Sequence, residues 1–212
     1  MKKDRVSPAV IRRLPRYYRH LDDLYQGGAV RISSNALAKS LGLTASQIRQ
    51  DLSCFGEFGQ QGYGYNIERL RGEIAEILGM NRRHTAIILG VGNLGHALIQ
   101  NFHFSFNGFD LVAAFDTSPA LIGTVLGDVP VHSVDELERY CREHSVSVAV
   151  LTVPVSAAAD MTRRLVDCGV KGIWNFTNVE LPIPPEVKVR VENVHFADSL
   201  LTLSYMISED GI

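Results

Sequence analysis

The chain has 212 residues, 46% of them hydrophobic and 21% charged, which is ordinary for a globular protein and enough for one large or two small domains with separate cores. No apolar run approaches the ~20 residues of a membrane span, and the charged N-terminus leads into no apolar stretch of the kind a signal peptide carries. Cys54, Cys141 and Cys168 are odd in number and form no C-x-x-C pair, which speaks against a disulfide framework or a structural zinc and for a reducing cytoplasm. The net charge of −2 conceals an asymmetry: residues 1–83 hold 14 Lys/Arg against 8 Asp/Glu (+6), and residues 84–212 hold 7 against 15 (−8). A basic front beside an acidic rear suggests two modules, of which the first seeks a polyanion; a chance partition of surface charge is the alternative.

In chain order, Ser7-Pro8 predicts a capped helix start with proline at the first helical position. Val10, Ile11, Leu14, Tyr17, Tyr18, Leu21, Leu24 and Tyr25 then form one helix face, with Arg12, Arg13, Arg16 and Arg19 elsewhere on the surface. Pro15 predicts a kink or a shifted start, and Gly27-Gly28 a stop. After an extended Val30-Arg31-Ile32, Ser33-Ser34 caps a helix bearing Leu37, Ala38 and Leu41, and Gly42 makes the turn. Thr44-Ala-Ser-Gln47 reads as a capping box. In the helix that follows, Ala45, Ile48, Leu52 and Phe55 point inward, which leaves Ser46, Gln47, Arg49, Gln50 and Ser53 outward. Two short helices across a glycine turn, the second with such an exposed face, make a helix-turn-helix whose side chains suit base edges and phosphates. A plain helical bundle with a merely solvated face is the competing reading.

Residues Gly56 to Tyr65 interleave four glycines with aromatics, as in the hairpin of a winged helix, with Phe58, Tyr63 and Tyr65 expected to anchor it. Asn66 then caps a helix carrying Ile67, Leu70, Ile74, Ile77 and Leu78, which Gly79 closes. Arg82-Arg83 mark a linker.

The rear half opens with Thr85 to His96. A β-favouring run, Ala86 to Leu89, meets Gly90, Val91, Gly92, Asn93, Leu94 and Gly95 before a helical pattern begins. This is strand, glycine turn and helix with G-x-G-x-x-G spacing, which a dinucleotide site requires. Gly90 permits the turn, Gly92 lets the backbone approach a pyrophosphate, and Gly95 lets helix and strand pack closely. A second strand, 111–115, ends in Asp116 about twenty residues after Gly95, where an acidic side chain accepts from the adenosine ribose hydroxyls and repels a 2′-phosphate, favouring NAD(H) over NADP(H). Helix 133–143, strand 146–152, helix 156–167 and strand 171–176 continue the alternation. Together they predict an α/β fold, in which an N-terminal winged helix-turn-helix precedes a Rossmann-like parallel sheet. Thr152, Val153, Pro154, Asn175 and Phe176 fall at strand ends on the ligand-binding rim. Thr152 and Asn175 suit a ribose or carboxamide, or simply cap the next element. The tail, Phe196 to Ile207, reads as a helix with Asp198 as its cap. Since it is apolar on nearly every side, it is expected to be covered by a second chain, or else buried in its own domain.

The residues that carry a resemblance are Gln47-Ile-Arg-Gln-Asp-Leu52, Phe55-Gly-Glu-Phe-Gly59, Gly62-Tyr-Gly-Tyr65, Gly90 to Gly95, Phe115-Asp116, Leu151-Thr-Val-Pro154, Gly172-Ile-Trp-Asn-Phe176 and Val191 to Phe196. The chain resembles, along its whole length, the Rex family of redox-sensing transcriptional repressors. That resemblance implies a winged-helix DNA-binding domain (1–80), an NAD(H)-binding Rossmann domain (84–195) and a swapped C-terminal helix (196–212) in a homodimer. It further implies that Phe196 of one subunit reaches the nicotinamide pocket of the other. Arg49 and its neighbours Ser46, Gln47 and Gln50 would read a double-stranded operator, and the wing, with Gln60, Gln61 and Tyr63, would meet the minor groove. Arg12 and Arg13 of the first helix are counted with this DNA-binding set. Gln50, Gln60 and Gln61 stand where more basic side chains are expected, and His195 where an acidic one is. The expected activity is repression at palindromic operators when NAD⁺ dominates and release by NADH, with no catalysis, no metal and no membrane.

The rival reading is an NAD-dependent dehydrogenase, for which His96, His103, His132, His144 and His195 are candidate proton carriers, though none shows a carboxylate partner in the sequence. A nucleotide-binding module akin to CoA-binding domains shares the fold, and a DNA-binding regulator that senses another ligand is a further alternative.

Overall fold

The structure, a computed structural model, describes residues 6–56, 58–60 and 63–209, with only the backbone of Gly59 and Gln60. It divides into two compact units, Met1–Arg82 and Arg83–Ile212.

The first unit is built from α1 (Pro8–Gln26), β1 (Arg31–Ile32), α2 (Ser34–Leu41), α3 (Ala45–Ser53), β2 (Gly59–Gln60), β3 (Gly64–Asn66) and α4 (Ile67–Leu78). Each helix begins where a short polar side chain takes an otherwise unpaired backbone N–H: Ser7 from Val10, Ser33 from Ala36, Thr44 from Gln47 and Asn66 from Arg69. α2 and α4 end on Gly42 and Gly79 in the left-handed region, where a glycine carries no Cβ penalty. α1 runs unbroken through Pro15 and starts at Pro8, so the expected shift of its start does not occur. The capping box is half made: Thr44 accepts from the Gln47 N–H, but the Gln47 side chain turns to Asp51 instead of back to Thr44. Leu14, Tyr17, Leu21, Leu37, Ile48, Leu52, Ile67, Leu70 and Ile74 form the core. The three strands pair antiparallel in the order β1-β3-β2, the wing of a winged helix.

The second unit has β4 (His84–Leu89), α5 (Asn93–Asn101), β5 (Phe109–Asp116), β6 (Val125–Leu126), β7 (Val129–Ser133), α6 (Leu137–Glu143), β8 (Val148–Leu151), α7 (Val155–Asp167), β9 (Gly172–Asn175), β10 (Arg190–Asn193) and α8 (Phe196–Glu209). Among the described residues seven strands line up as β10-β9-β8-β4-β5-β7-β6, all parallel except the short β6. The nearly continuous apolar strands turn apolar side chains to both faces. Ile87, Leu89, Phe115, Ala149, Leu151 and Ile173 meet Leu137 of α6 and Met161 and Leu165 of α7 on one side. Ile88, Ala114, Val150 and Phe176 meet Leu94, Leu98 and Ile99 of α5 on the other.

That second face is covered only in part. Beside α5, over β8, β9 and β10, lies an apolar groove of ≈ 460 Å³ lined by Phe102, Phe104, Phe109, Val150, Trp174 and Val191. α8, the element after β10, does not fill it. Every described residue of α8 is exposed, with Leu200, Leu201, Leu203, Tyr205, Met206 and Ile207 at 48–68% of full exposure. Asp198 does not cap this helix: α8 already starts at Phe196, and Asp198 lies within its first turn. Among the described residues no helix is long and apolar enough to cross a membrane.

Candidate dinucleotide crevice and nucleic-acid interface

The registers of the parallel strands bring four carboxyl ends level. Leu89 pairs with Phe115 on one side and Leu151 on the other, and Leu151 pairs with Asn175. The chain leaves β4 for β5 in one direction and returns to β8 in the other. Gly90, Asp116, Thr152 and Phe176 therefore border one crevice at the point where strand order reverses, the usual ligand position in such sheets.

The three glycines do separate jobs. Gly90 has φ +91°, and a Cβ there would stand 2.7 Å from the Thr152 carbonyl oxygen. At Gly95 a Cβ would fall 2.0 Å from the Gly90 carbonyl oxygen, so any larger residue pushes α5 off the sheet. Gly92 faces open space, which leaves the backbone bare on the side from which a diphosphate would come. Unlike the helices of the first unit, α5 has no side-chain cap, so its first N–H groups are left for an anion. Asp116 is oriented by two backbone donors: the Val91 N–H gives to Oδ2 at 2.6 Å and the Ser118 N–H to Oδ1 at 2.8 Å. A carboxylate has about four acceptor positions, so two are left for a pair of vicinal hydroxyls. These features fit a dinucleotide. Val91 itself is buried, while Asn93 and Pro154 are exposed at the crevice and Leu94 and Val153 half-buried in its walls.

Two polar residues expected to meet ligand are occupied internally. The Thr152 hydroxyl lies 2.7 Å from the Gly90 carbonyl and 3.0 Å from that of Leu89, so its proton straps β8 to the end of β4. Asn175 is 1% exposed; its amide gives to Val179 O and Asn193 Oδ1, and its oxygen accepts from the N–H and hydroxyl of Thr177. With both donors and both lone pairs spent, Asn175 fixes the loop after β9 instead of offering groups to a ribose or carboxamide. Phe176 is buried next to Trp174, and Phe196, 54% exposed, stands 6.0 Å from it ring to ring. His132, 3.6 Å from Glu136, packs between Phe115 and Tyr140, on the side of the sheet that α6 covers. Among the described residues no cluster of His, Cys, Asp and Glu could hold a metal ion.

In the first unit, Ser46, Arg49, Gln50 and Ser53 are exposed on α3, and Arg12 on α1. Arg49 is braced by Ser34 at 3.0 Å. Two expectations are corrected. Arg13 is not free for DNA phosphates: its Nε and Nη2 hold Asp51 at 2.6 and 2.8 Å. Gln47 is half-buried and not fully outward, with its amide turned to Asp51 Oδ1 at 2.8 Å. On the wing, Tyr65 anchors to the core, whereas Tyr63 is 70% exposed and anchors nothing. Gln61 lies outside the described residues, and of Gln60 only the β2 backbone is described. Arg31 has no functional role expected from the sequence. It is exposed at the base of the wing, its guanidinium gives to the Tyr63 carbonyl at 3.2 Å and lies 6.0 Å from the Tyr63 ring. A basic residue in the strand before a serine cap was the available signal.

A winged helix joined in one chain to a Rossmann unit with an acid-ended second strand defines a class of nucleotide-linked DNA-binding regulators. Residues 5–53 match a family model described as "Putative DNA-binding protein N-terminus", and residues 81–179 one described as "CoA binding domain". The redox-sensing transcriptional repressor Rex of Clostridium botulinum is 46% identical over 208 residues, 98% of each chain. That of Clostridium perfringens is 42% identical over 211 residues, 100% of this chain and 99% of its own. Among solved structures, a repressor called RSP in complex with β-NAD⁺ and operator DNA is 45% identical with a TM-score of 0.90, covering 98% of this chain and 94% of that one. RSP in complex with β-NADH is 42% identical, also at 0.90, covering 97% and 96%. This chain belongs to the Rex family of redox-sensing transcriptional repressors.

Proposed function

We propose that the protein is a homodimeric repressor that binds a palindromic operator while NAD⁺ dominates and leaves it when NADH accumulates. The observation that carries this reading is the joining, in one polypeptide, of an exposed Ser46/Arg49/Gln50 face on α3 to a crevice in which Asp116 is already aimed by Val91 and Ser118. The structures of RSP in complex with β-NAD⁺ and operator DNA, and with β-NADH, support it.

In this reading α5's N-terminus and the bare Gly92 backbone receive the pyrophosphate, and Asp116 takes the adenosine ribose hydroxyls. Val153, Pro154, Phe176 and Phe196 supply apolar surface around the nicotinamide. The oxidised ring is cationic and the reduced ring neutral, so a dry pocket penalises NAD⁺ and not NADH. A differential of ~3–4 kcal/mol would give a preference of several hundred-fold. Arg12, Arg31 and the wing contact phosphates and the minor groove. The CoA-binding resemblance of residues 81–179 reflects the shared fold, while a carboxylate at 116 suits an adenosine with free hydroxyls.

The homodimer is supported by two unmet surfaces among the described residues: an apolar helix exposed along its length and an apolar groove that this helix does not fill. In a doubly wound sheet, the helix after the last strand ordinarily returns over that open face. Here it is offered to a second copy, where Phe196 closes the neighbour's pocket. A DNA-binding protein fed by the soluble NAD(H) pool works in the cytoplasm.

A DNA selection followed by gel-shift titration tests this. A palindrome retained in NAD⁺ and lost in NADH is the expected result; a complex that NAD⁺ dissolves and NADH leaves intact would reverse the model.

A further inference from the structure

The recognition helix carries one acidic side chain, and it is wholly buried: Asp51, on α3, is 0% exposed. Its oxygens accept four hydrogen bonds. Oδ1 takes Arg13 Nη2 and Gln47 Nε2, both at 2.8 Å, and Oδ2 takes Arg13 Nε and the Tyr17 hydroxyl, both at 2.6 Å. Every acceptor position of the carboxylate is filled, and Tyr17 is itself fully buried.

A packed pair such as Ile48 and Leu52 resists separation but not rotation, because apolar contact is non-directional. Four directional bonds to α1 do resist it. A roll of about 20° at the roughly 6 Å side-chain radius of a helix moves a side-chain tip about 2 Å, several times what a hydrogen bond to a base edge tolerates. As a source of stability alone, a buried ion pair is a poor device, since well-packed apolar residues of similar volume often do as well or better.

We propose that Asp51, held by Arg13, Tyr17 and Gln47, is a positioning residue that sets the rotation of α3 and thereby the preference for operator over non-cognate DNA. The proposal rests on the DNA-binding reading above. It separates two roles within α3: Ser46, Arg49 and Gln50 touch DNA, whereas Gln47 and Asp51 aim them.

The test uses Tyr17→Phe and Gln47→Met, which remove one bond each without changing charge and with little change in bulk. Full-length wild type and variants, checked for folding by circular dichroism, are titrated onto the duplex selected by wild type and onto a scrambled duplex of equal length, over a range of salt. Misaligning a helix so that one base contact is lost costs roughly tenfold, whereas phosphate contacts carry no sequence information. The expected result is a roughly tenfold loss on the selected duplex, with scrambled-duplex affinity and salt slope unchanged. Parallel loss on both duplexes, tracking the melting temperature, would reduce the clasp to a stability element and overturn the proposal, as would an unchanged ratio in both variants. Wild type without any preference would overturn this proposal together with the functional reading beneath it.

Discussion

Single residues decide much here because several are committed to one partner geometry. Gly95 has no room for a Cβ, so Gly95→Ala should lift α5 and abolish measurable NADH binding in a fluorescence titration while leaving the first unit folded. Asp116→Ala removes a charged acceptor but no packing; at about 1.5–3 kcal/mol for a hydrogen bond to a charged group, affinity should fall tenfold or more by the same titration. Asp51 responds to pH. Burial pushes its carboxyl up, but the hydrogen bonds from Arg13, Tyr17 and Gln47, with the Arg13 charge, outweigh this and hold it below the ordinary aspartate range. A depressed folded pKa stabilises above the unfolded value and is lost as pH falls through the folded one. Acid titration of the melting temperature should therefore show a loss below about pH 4 that is smaller in Asp51→Asn, which is already weakened at neutral pH. Arg13→Ala, which strands the carboxylate, should cost about 3 kcal/mol in urea unfolding. Such pairings are invisible in sequence: Arg13 and Asp51 lie 38 positions apart, and nothing local tells an arginine on an exposed-looking face that its partner is internal. The same holds for Thr152 and Asn175, whose positions at strand ends could be read but whose hydrogen bonds are consumed by neighbours that only the fold brings near.

Elements were far more legible, because their ends are chemically marked. Ser7, Ser33, Thr44 and Asn66 each cap the helix expected of them, and the left-handed glycines at 42 and 79 close two more ends. What stayed hidden were β6, β7 and β10: short pieces with little periodicity that become strands only because a neighbour's edge is available. α6 and α7 illustrate the same limit. Arg164 of α7 grips Glu138 of α6 at 2.5 and 2.8 Å, and one turn further along, Cys141 and Cys168, far apart in sequence, pack on the same core cluster. Burial, with the neighbouring Cys168 thiol, pushes Cys141 up to about 12, and burial raises Cys168 too. Because the thiolate is the nucleophile, iodoacetamide at neutral pH should label exposed Cys54 well before either of them, as peptide mass mapping would reveal.

At the scale of the molecule, function depends on two units whose cores are separate. The charge partition seen in the sequence assigns the polyanion to the first, so operator affinity should fall steeply with salt while NADH affinity barely moves. Deleting residues 196–212 should leave a monomer by sedimentation, with Rossmann circular dichroism retained. Bound NADH should then no longer alter DNA affinity, because two half-sites one helical turn apart need a paired reader.

α8 carries one more consequence. In the proposed homodimer, a newly made subunit presents a greasy rod and an open trough until it meets another, and both invite self-association or proteolysis. Because such pairing would be second order in subunit concentration, the proposal expects the working pool to rise faster than linearly with synthesis at low copy number. A cell that makes too little of this chain would lose control of its target genes abruptly, with no change in any nucleotide level.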